Sequence, residues 1–465
     1  MRGLECDVVS NAVQKRSSPH TLLGPPFRRR PDRSLPGGFR PRPRHFRGSR
    51  QRSPNGAKAL PDDPPPEHLL GDWRGLLPWL DDRGITPTVN FWTDALGNPV
   101  GGIQHGFTTA NNLNLDLLFD LEKLRGPKGG SFEISASERF GVSLSQQNIG
   151  NVFTVQQVYG NETFMLVDVA YQQELLGERL EVRLGRIAAG DDFLVSSYSC
   201  AFVQNGFCGT PVGIFFNSPG MTAYPNATWG IRVKVKPTEQ TYVMGGVYNG
   251  DPSIRANEYH GANWSMQGPV FAIGEAAYQA NGLPGDKGMV GNYKAGFWYD
   301  NRQYAVFGTV GSGQSPSPAR GNWGFYALFD QLLVRFGEQD SDRGFGVTGS
   351  FLVSPDQSIS RMPYFFNTGV VARGIFASRP TDVTGFGMVF GSFSTDLQAS
   401  QQQAQLTNPT IGVQRYEMAL EWTYRLNFLK GAVFFQPDLQ YIIRPGGTGQ
   451  IPNALAIGFQ AAVNF

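Results

Sequence analysis

Nowhere in this chain of 465 residues does an apolar run approach the roughly 18 to 20 residues that a membrane-crossing helix needs, which excludes a helical membrane protein. Charge is scarce, with Asp, Glu, Lys and Arg at 17%, and there are only five His and three Cys. So little histidine and cysteine leaves little material for metal or nucleophilic chemistry. There is no His-Glu-x-x-His pair, no Gly-x-Ser-x-Gly elbow and no Walker loop, and the Cys spacing fits no zinc site. His20, His45 and His68 lie outside the patterned part of the chain, and His105 and His260 fall in Gly/Asn-rich stretches. Gly282, Gly285 and Gly288 lack the strand-to-helix context of a nucleotide site and read as turns. No enzyme, cofactor or metal site is expected.

Glycine, with 58 residues, and aromatics, at 12%, are plentiful, while mean hydropathy is only -0.27. A β-barrel hides its hydrophobicity by alternation, so mild hydropathy is compatible with an apolar belt facing lipid. The net charge of +2 conceals two different polymers. Before residue 60 there are 14 Lys and Arg against 3 Asp and Glu, leaving 26 against 35 for the rest. The basic part, with Arg28-Arg29-Arg30, Arg40, Arg42, Arg44, Arg47 and Arg50 among Pro and Ser, has no apolar periodicity, so residues 1–60 are expected to be disordered. Clustered Arg also suits a nucleic-acid-binding arm, but that reading is set aside and no nucleic-acid partner is expected. Nothing before Leu60 supplies the apolar core of a secretion signal. The extension is therefore read as non-native or upstream sequence, with an organellar transit peptide as the rival.

A proline run over Pro61–Pro66 leads into Leu69, Leu70, Trp73, Leu76, Leu77 and Leu80, whose spacing of three or four predicts a short amphipathic element over 61–84. From residue 85 the period becomes two. Leu113, Leu115, Leu117, Phe119 and Leu121 alternate with Asn112, Asn114, Asp116 and Asp120; Tyr416, Met418, Leu420, Trp422 and Tyr424 alternate with Arg415, Glu417, Glu421, Thr423 and Arg425. Such segments fall at 85–94, 110–121, 131–139, 163–174, 179–187, 228–236, 240–248, 269–278, 291–300, 321–331, 344–353, 363–375, 383–394, 414–426, 432–443 and 454–465. A strand tilted by about 45° needs roughly 9 to 11 residues to cross the hydrocarbon, against about 5 to 6 in a soluble sheet. The expected fold is an all-β transmembrane antiparallel barrel over 85–465 with about 16 strands, enough to leave an aqueous lumen.

Several local stretches then carry a family resemblance. They are Gly71-Asp72-Trp73-Arg74-Gly75 with Leu80, Gly84 and Ile85; Leu184-Gly185-Arg186 with Asp191-Asp192-Phe193; and Phe202-Val203-Gln204-Asn205-Gly206-Phe207-Cys208-Gly209. Tyr293–Asp300 and Gln436-Pro437-Asp438-Leu439-Gln440-Tyr441 before Arg444-Pro445-Gly446-Gly447 complete the set. In this order the chain resembles the OprB-like carbohydrate-selective porins of the bacterial outer membrane. The resemblance implies a periplasmic entry segment, passive diffusion of small sugars, a lipid-facing outer surface and an inward loop after the fifth strand. The terminal alternation ending on Phe465 looks like the signal read by the barrel assembly machinery, and a homotrimer is left open. An oxidising location suits a disulfide between Cys200 and Cys208, with two free thiols as the alternative; closing so short a loop stabilises by about 2 to 3 kcal/mol.

By alternation the lumen face includes Glu133, Glu138 or Arg139, Asp168, Arg183, Arg232, Lys234, Glu275, Lys294, Glu417, Glu421 and Arg425. Both signs are present, which suits neutral sugars, whereas an anion pore wants a ring of cations. The constriction is expected at Glu138, Arg139, Arg183, Arg186, Asp191 and Asp192, with Arg232 and Lys234 nearby. By analogy with the family, Trp298 and Tyr326 are expected to stack on a pyranose. The alternatives are a general or anion/phosphate-selective porin, then an outer-membrane barrel enzyme or a soluble all-β binding protein.

Overall fold

The computed structural model describes residues 68–465 apart from 161, 208–209, 256–258, 283–285, 287, 309–316 and 338–342. The expectation of disorder over residues 1–60 lies outside them. Sixteen strands follow one another: β1 (Ile85–Val100), β2 (Phe107–Asp120), β3 (Gly130–Gly141), β4 (Thr163–Leu175), β5 (Leu180–Ile187), β6 (Thr228–Thr238), β7 (Thr241–Asn249) and β8 (Val270–Ala280) make the first half. The second half is β9 (Gly291–Tyr304), β10 (Ala319–Arg335), β11 (Gly344–Val353), β12 (Tyr364–Arg373), β13 (Val383–Ser392), β14 (Tyr416–Phe428), β15 (Val433–Ile443) and β16 (Ala454–Asn464). Each pairs antiparallel with its neighbours in sequence, and β16 closes on β1, with Trp92 opposite Ala462 and Asn90 opposite Asn464. Closure gives every strand a partner on both sides, the condition for a sheet to span a bilayer.

Alternation sets the two faces. Leu113, Leu115, Ile231, Val233, Val235, Phe297, Phe325, Phe386, Trp422 and Ile457 all point outward and are exposed. Tyr299 and Trp323, directly opposite each other toward one rim, and Tyr293, toward the other, are exposed on the same outer surface as interfacial aromatics. Leu115 sits mid-strand between Val89 and Ala136. Leu115→Arg is therefore expected to cost about 2 to 4 kcal/mol, because a cation at the bilayer midplane is desolvated. Urea titration of refolding into lipid vesicles, read by heat-modifiable gel mobility, checks this.

The entry segment forms a 3-10 turn (Trp73–Gly75) and then the single-turn helix α1 (Leu76–Asp81). It stops at Gly84, where φ is +79° and a Cβ would lie 2.7 Å from the carbonyl oxygen of Asp120. The segment is tied to the chain end, since Leu69 N donates to Asn464 O at 2.7 Å and His68 Nδ1 lies 2.6 Å from Phe465 O. The longest connections all leave from the opposite rim: L2 (142–162), L3 (188–227), L4 (250–269) and L7 (393–415).

Candidate functional site

L3 does not stand out into solvent but turns into the bore. Its Phe193, Leu194, Tyr198, Phe202, Phe207, Ile214 and Met221 form one apolar cluster with Tyr242, Met244 and Tyr248 of β7, Phe271 and Ile273 of β8, Trp298 of β9, Tyr326 and Leu328 of β10, and Phe365 of β12. Inner-face glycines make the space. Phe202 and Phe207 stack with centroids 4.1 Å apart, and a Cβ on Gly369, Gly385 or Gly387 would come within 2.8, 2.9 or 2.6 Å of those rings. Trp298 and Tyr326 therefore do not face a solute as expected. They point inward but are 1% and 3% exposed, because L3 needs an apolar bed and they are part of it.

L2 is a second inward loop that the sequence reading missed. Its Leu144, Ile149 and Val155 pack on Leu96, Ile442, Ala454 and Ala456 along the seam of β1, β15 and β16. The signal was present as apolar residues within an irregular stretch.

Several lumen carboxylates turn out to hold these loops rather than line open water. Glu417 accepts from the backbone N–H groups of Val152 and Phe153 at 2.8 Å and of Gly446 at 2.7 Å. Glu421 accepts from Val203 N at 2.6 Å and Gln204 N at 3.1 Å. Glu275 accepts from Leu194 N and from the hydroxyls of Tyr242 and Tyr326. A loop inside a barrel has few partners for its peptide groups, and carboxylates projecting from the wall supply acceptors for them.

The expected constriction residues divide into those gathered together and those that are not. Arg183 lies 3.0 Å from Glu133, 3.7 Å from Asp168 and 3.5 Å from Asp192, while Arg232 reaches Glu181 at 2.6 Å and Asp192 at 2.9 Å. This network clamps the start of L3, where a 3-10 turn (Ala189–Asp191) delivers Asp191 and Asp192, to β3–β6. Burial pushes the carboxyl of Asp191 well above the usual range, with Asp168 adding to the shift and Arg183 opposing it. Lys234 packs its ammonium 4.6 Å from the ring centre of Tyr242.

Two of the residues expected at the constriction lie elsewhere. Glu138 lies opposite Leu113 and Phe164, both exposed on the outer face, so it belongs to the lipid side, one residue out of phase with the lumen. Arg186 is fully buried in the wall, and its Nε donates to Leu166 O at 3.2 Å and Val167 O at 3.0 Å. It occupies the stretch where β4 runs on past its last pairing with β5, left by the departure of L3. The expected Cys200–Cys208 pair cannot be followed, since Cys208 lies outside the described residues; the carbonyl of Cys200 accepts from Arg425 at 3.0 Å.

The inner face of β1–β3 is left clear of the large apolar cluster. Arg139 points inward there and is buried, at 7% exposed; its neighbours Asn112 and Ser137 share its face, and Ser137 Oγ donates to Asn112 Oδ1 at 2.6 Å.

 From L3, Tyr224 donates its hydroxyl to Asn114 Oδ1 at 2.6 Å and accepts from Asn112 Nδ2 at 3.3 Å, with the Arg139 guanidinium 5.3 Å from its ring centre. Arg139 Nη1 also donates to Tyr159 O of L2 at 3.3 Å. Below them Trp92, opposite Asn112, is half-buried on the same face, its indole N–H on Asn90 at 3.1 Å, and Glu133 keeps about a third of its side chain exposed, at 34%. Trp92 was missed, although it shares its parity with Asn90 and Asp94. A polar strip with one aromatic face thus runs down β1–β3 beside a half-bore filled by loops.

The sequence profile described as "Carbohydrate-selective porin, OprB family" matches residues 104–465. The chain belongs to this family. It is an outer-membrane β-barrel porin, and both family and fold are those of a channel. Porin B of Pseudomonas aeruginosa is 28% identical over 426 residues, covering 85% of this chain and 91% of that protein. A putative porin, QuiX, of Acinetobacter baylyi is 25% identical, covering 85% and 93%. Among solved structures, the high-pH structure of Pseudomonas putida OprB superposes with a TM-score of 0.79 at 25% identity, covering 86% of this chain and 99% of that one.

Proposed function

We propose that this porin passes neutral, hydroxyl-rich solutes of monosaccharide to small oligosaccharide size along the β1–β3 strip, between Tyr224, Arg139 and Asn112 above and Trp92 and Glu133 below. One observation carries the reading. The guanidinium groups of Arg183 and Arg232 are matched by carboxylates, so the charges beside the strip neutralise one another instead of forming a ring of cations. Paired charges and amides orient hydroxyls without trapping an ion, and the half-buried face of Trp92 suits the apolar face of a pyranose. A general or anion-selective pore is the second reading, favoured by Arg139, which no carboxylate reaches within ion-pair distance among the described residues.

Liposome swelling tests the choice: neutral sugars are expected to enter several-fold faster than acids of the same size, and Trp92→Ala to narrow that difference. Faster entry of the acids selects the anion pore. In the same reading, residues 61–84 form a periplasmic segment ahead of a barrel over 85–465. Phe465 serves the barrel assembly machinery before closure, since its N–H is bonded to Val89 O at 2.9 Å in the closed wall. His260 has a structural place, with Nδ1 2.9 Å from Phe164 O.

A further inference from the structure

At the end of the barrel away from the long loops, beneath L3, lies a cleft on the inner wall of β6–β9. Lys236, Gln240, Tyr242, Gln279, Asn292 and Lys294 line it. It is separate from the β1–β3 strip, and L3 roofs it: Lys294 Nζ donates to Val195 O at 2.6 Å. Over about 70 Å³ the cleft admits the centres of water-sized molecules, space for roughly five waters at about 15 Å³ of such volume each, so a sugar ring would seat partly within it and partly in the lumen.

Asn292 marks the cleft as more than a gap between side chains. It is 3% exposed, yet neither its amide nitrogen nor its amide oxygen has a hydrogen-bond partner. A buried amide left in that state is costly, so such groups normally have partners. An amide donates through nitrogen and accepts through oxygen, which matches two neighbouring hydroxyls of a sugar ring. Lys294 has further N–H donors beyond the one given to Val195, and Tyr242 lines the cleft beside them.

We propose that this cleft is a monosaccharide subsite on the turn-side half of the lumen, with Asn292 as its specificity-determining residue, where a neutral sugar pauses before leaving the barrel. The proposal rests on the sugar-porin reading. It is tested by titrating D-glucose against the ion current through the reconstituted full chain, for wild type, Asn292→Leu and Gln240→Ala. Heat-modifiable gel mobility reports whether each variant folds, and Gln240, at the β6–β7 turn, decides the matter if Asn292→Leu does not.

The half-saturating glucose concentration is expected to rise about ten-fold in Asn292→Leu, equivalent to about 1.4 kcal/mol, and about three-fold in Gln240→Ala. Folded variants that titrate like wild type overturn the subsite, as does a conducting wild type indifferent to glucose; both leave the porin standing. A wild type that carries no current sinks the porin reading beneath it.

Discussion

Arg183→Met is expected to widen the pore and erase its preference for neutral solutes. Arg183 faces Glu133, Asp168 and Asp192, and Asp192, 1% exposed, is shared with Arg232. Removing one partner from a buried ionic network costs about 3 to 5 kcal/mol, because it strands the remaining charges without compensation. The barrel wall, held by ladders around its whole circumference, has little reason to yield. Asp192 is the charged anchor of the first turn of L3, beside the bond from Leu194 N to Glu275 and the apolar bed under Phe193, so the strain is released in that turn. Single-channel conductance should rise by half or more over wild type, and swelling rates for sugars and acids should converge. Unchanged conductance in a folded variant would show that L3 is held by its apolar bed alone.

Glu417→Ala is the second large effect. Its carboxylate receives three backbone N–H groups, from Val152, Phe153 and Gly446. Leaving a buried donor unmatched costs about 1 to 3 kcal/mol each, so the total is enough to undock L2 from the wall. The expected readout is protease cleavage within 142–162 on intact vesicles, at least ten-fold faster than in wild type, together with noisier current. Glu417→Gln keeps acceptor oxygen and size and should recover most of the protection. Equal cleavage in all three forms would mean that the packing of Leu144, Ile149 and Val155 suffices.

Much of the barrel was legible because lipid and water impose a period of two that nothing else imitates over ten residues. The strand ends were read short: the tenth was expected over 321–331 and spans Ala319–Arg335, since strands continue beyond the hydrocarbon, where alternation is no longer enforced. Parity fails where one residue decides the face. Along β3 the inward phase Glu133, Ser135, Ser137, Arg139 is unbroken, because the extra residue at the register shift lies on β4, and Glu138 falls on the opposite parity next to a true lumen residue, Arg139. Alternation also says which face is inward without saying what covers it. Trp298 and Tyr326 were placed on the correct face and assigned the wrong neighbour, a loop instead of a solute. The inward path of L2 has no periodic signature, whereas Trp92 was readable from its parity and was passed over because its segment was counted only as a strand.

The most direct measurement is the current through the purified protein in planar bilayers, with and without a panel of neutral sugars. A route along β1–β3 predicts steady conductance that falls in a graded, saturable way as sugar is added. Silent membranes containing correctly folded barrels would contradict it, and would mean that L2 and L3 together stop the bore.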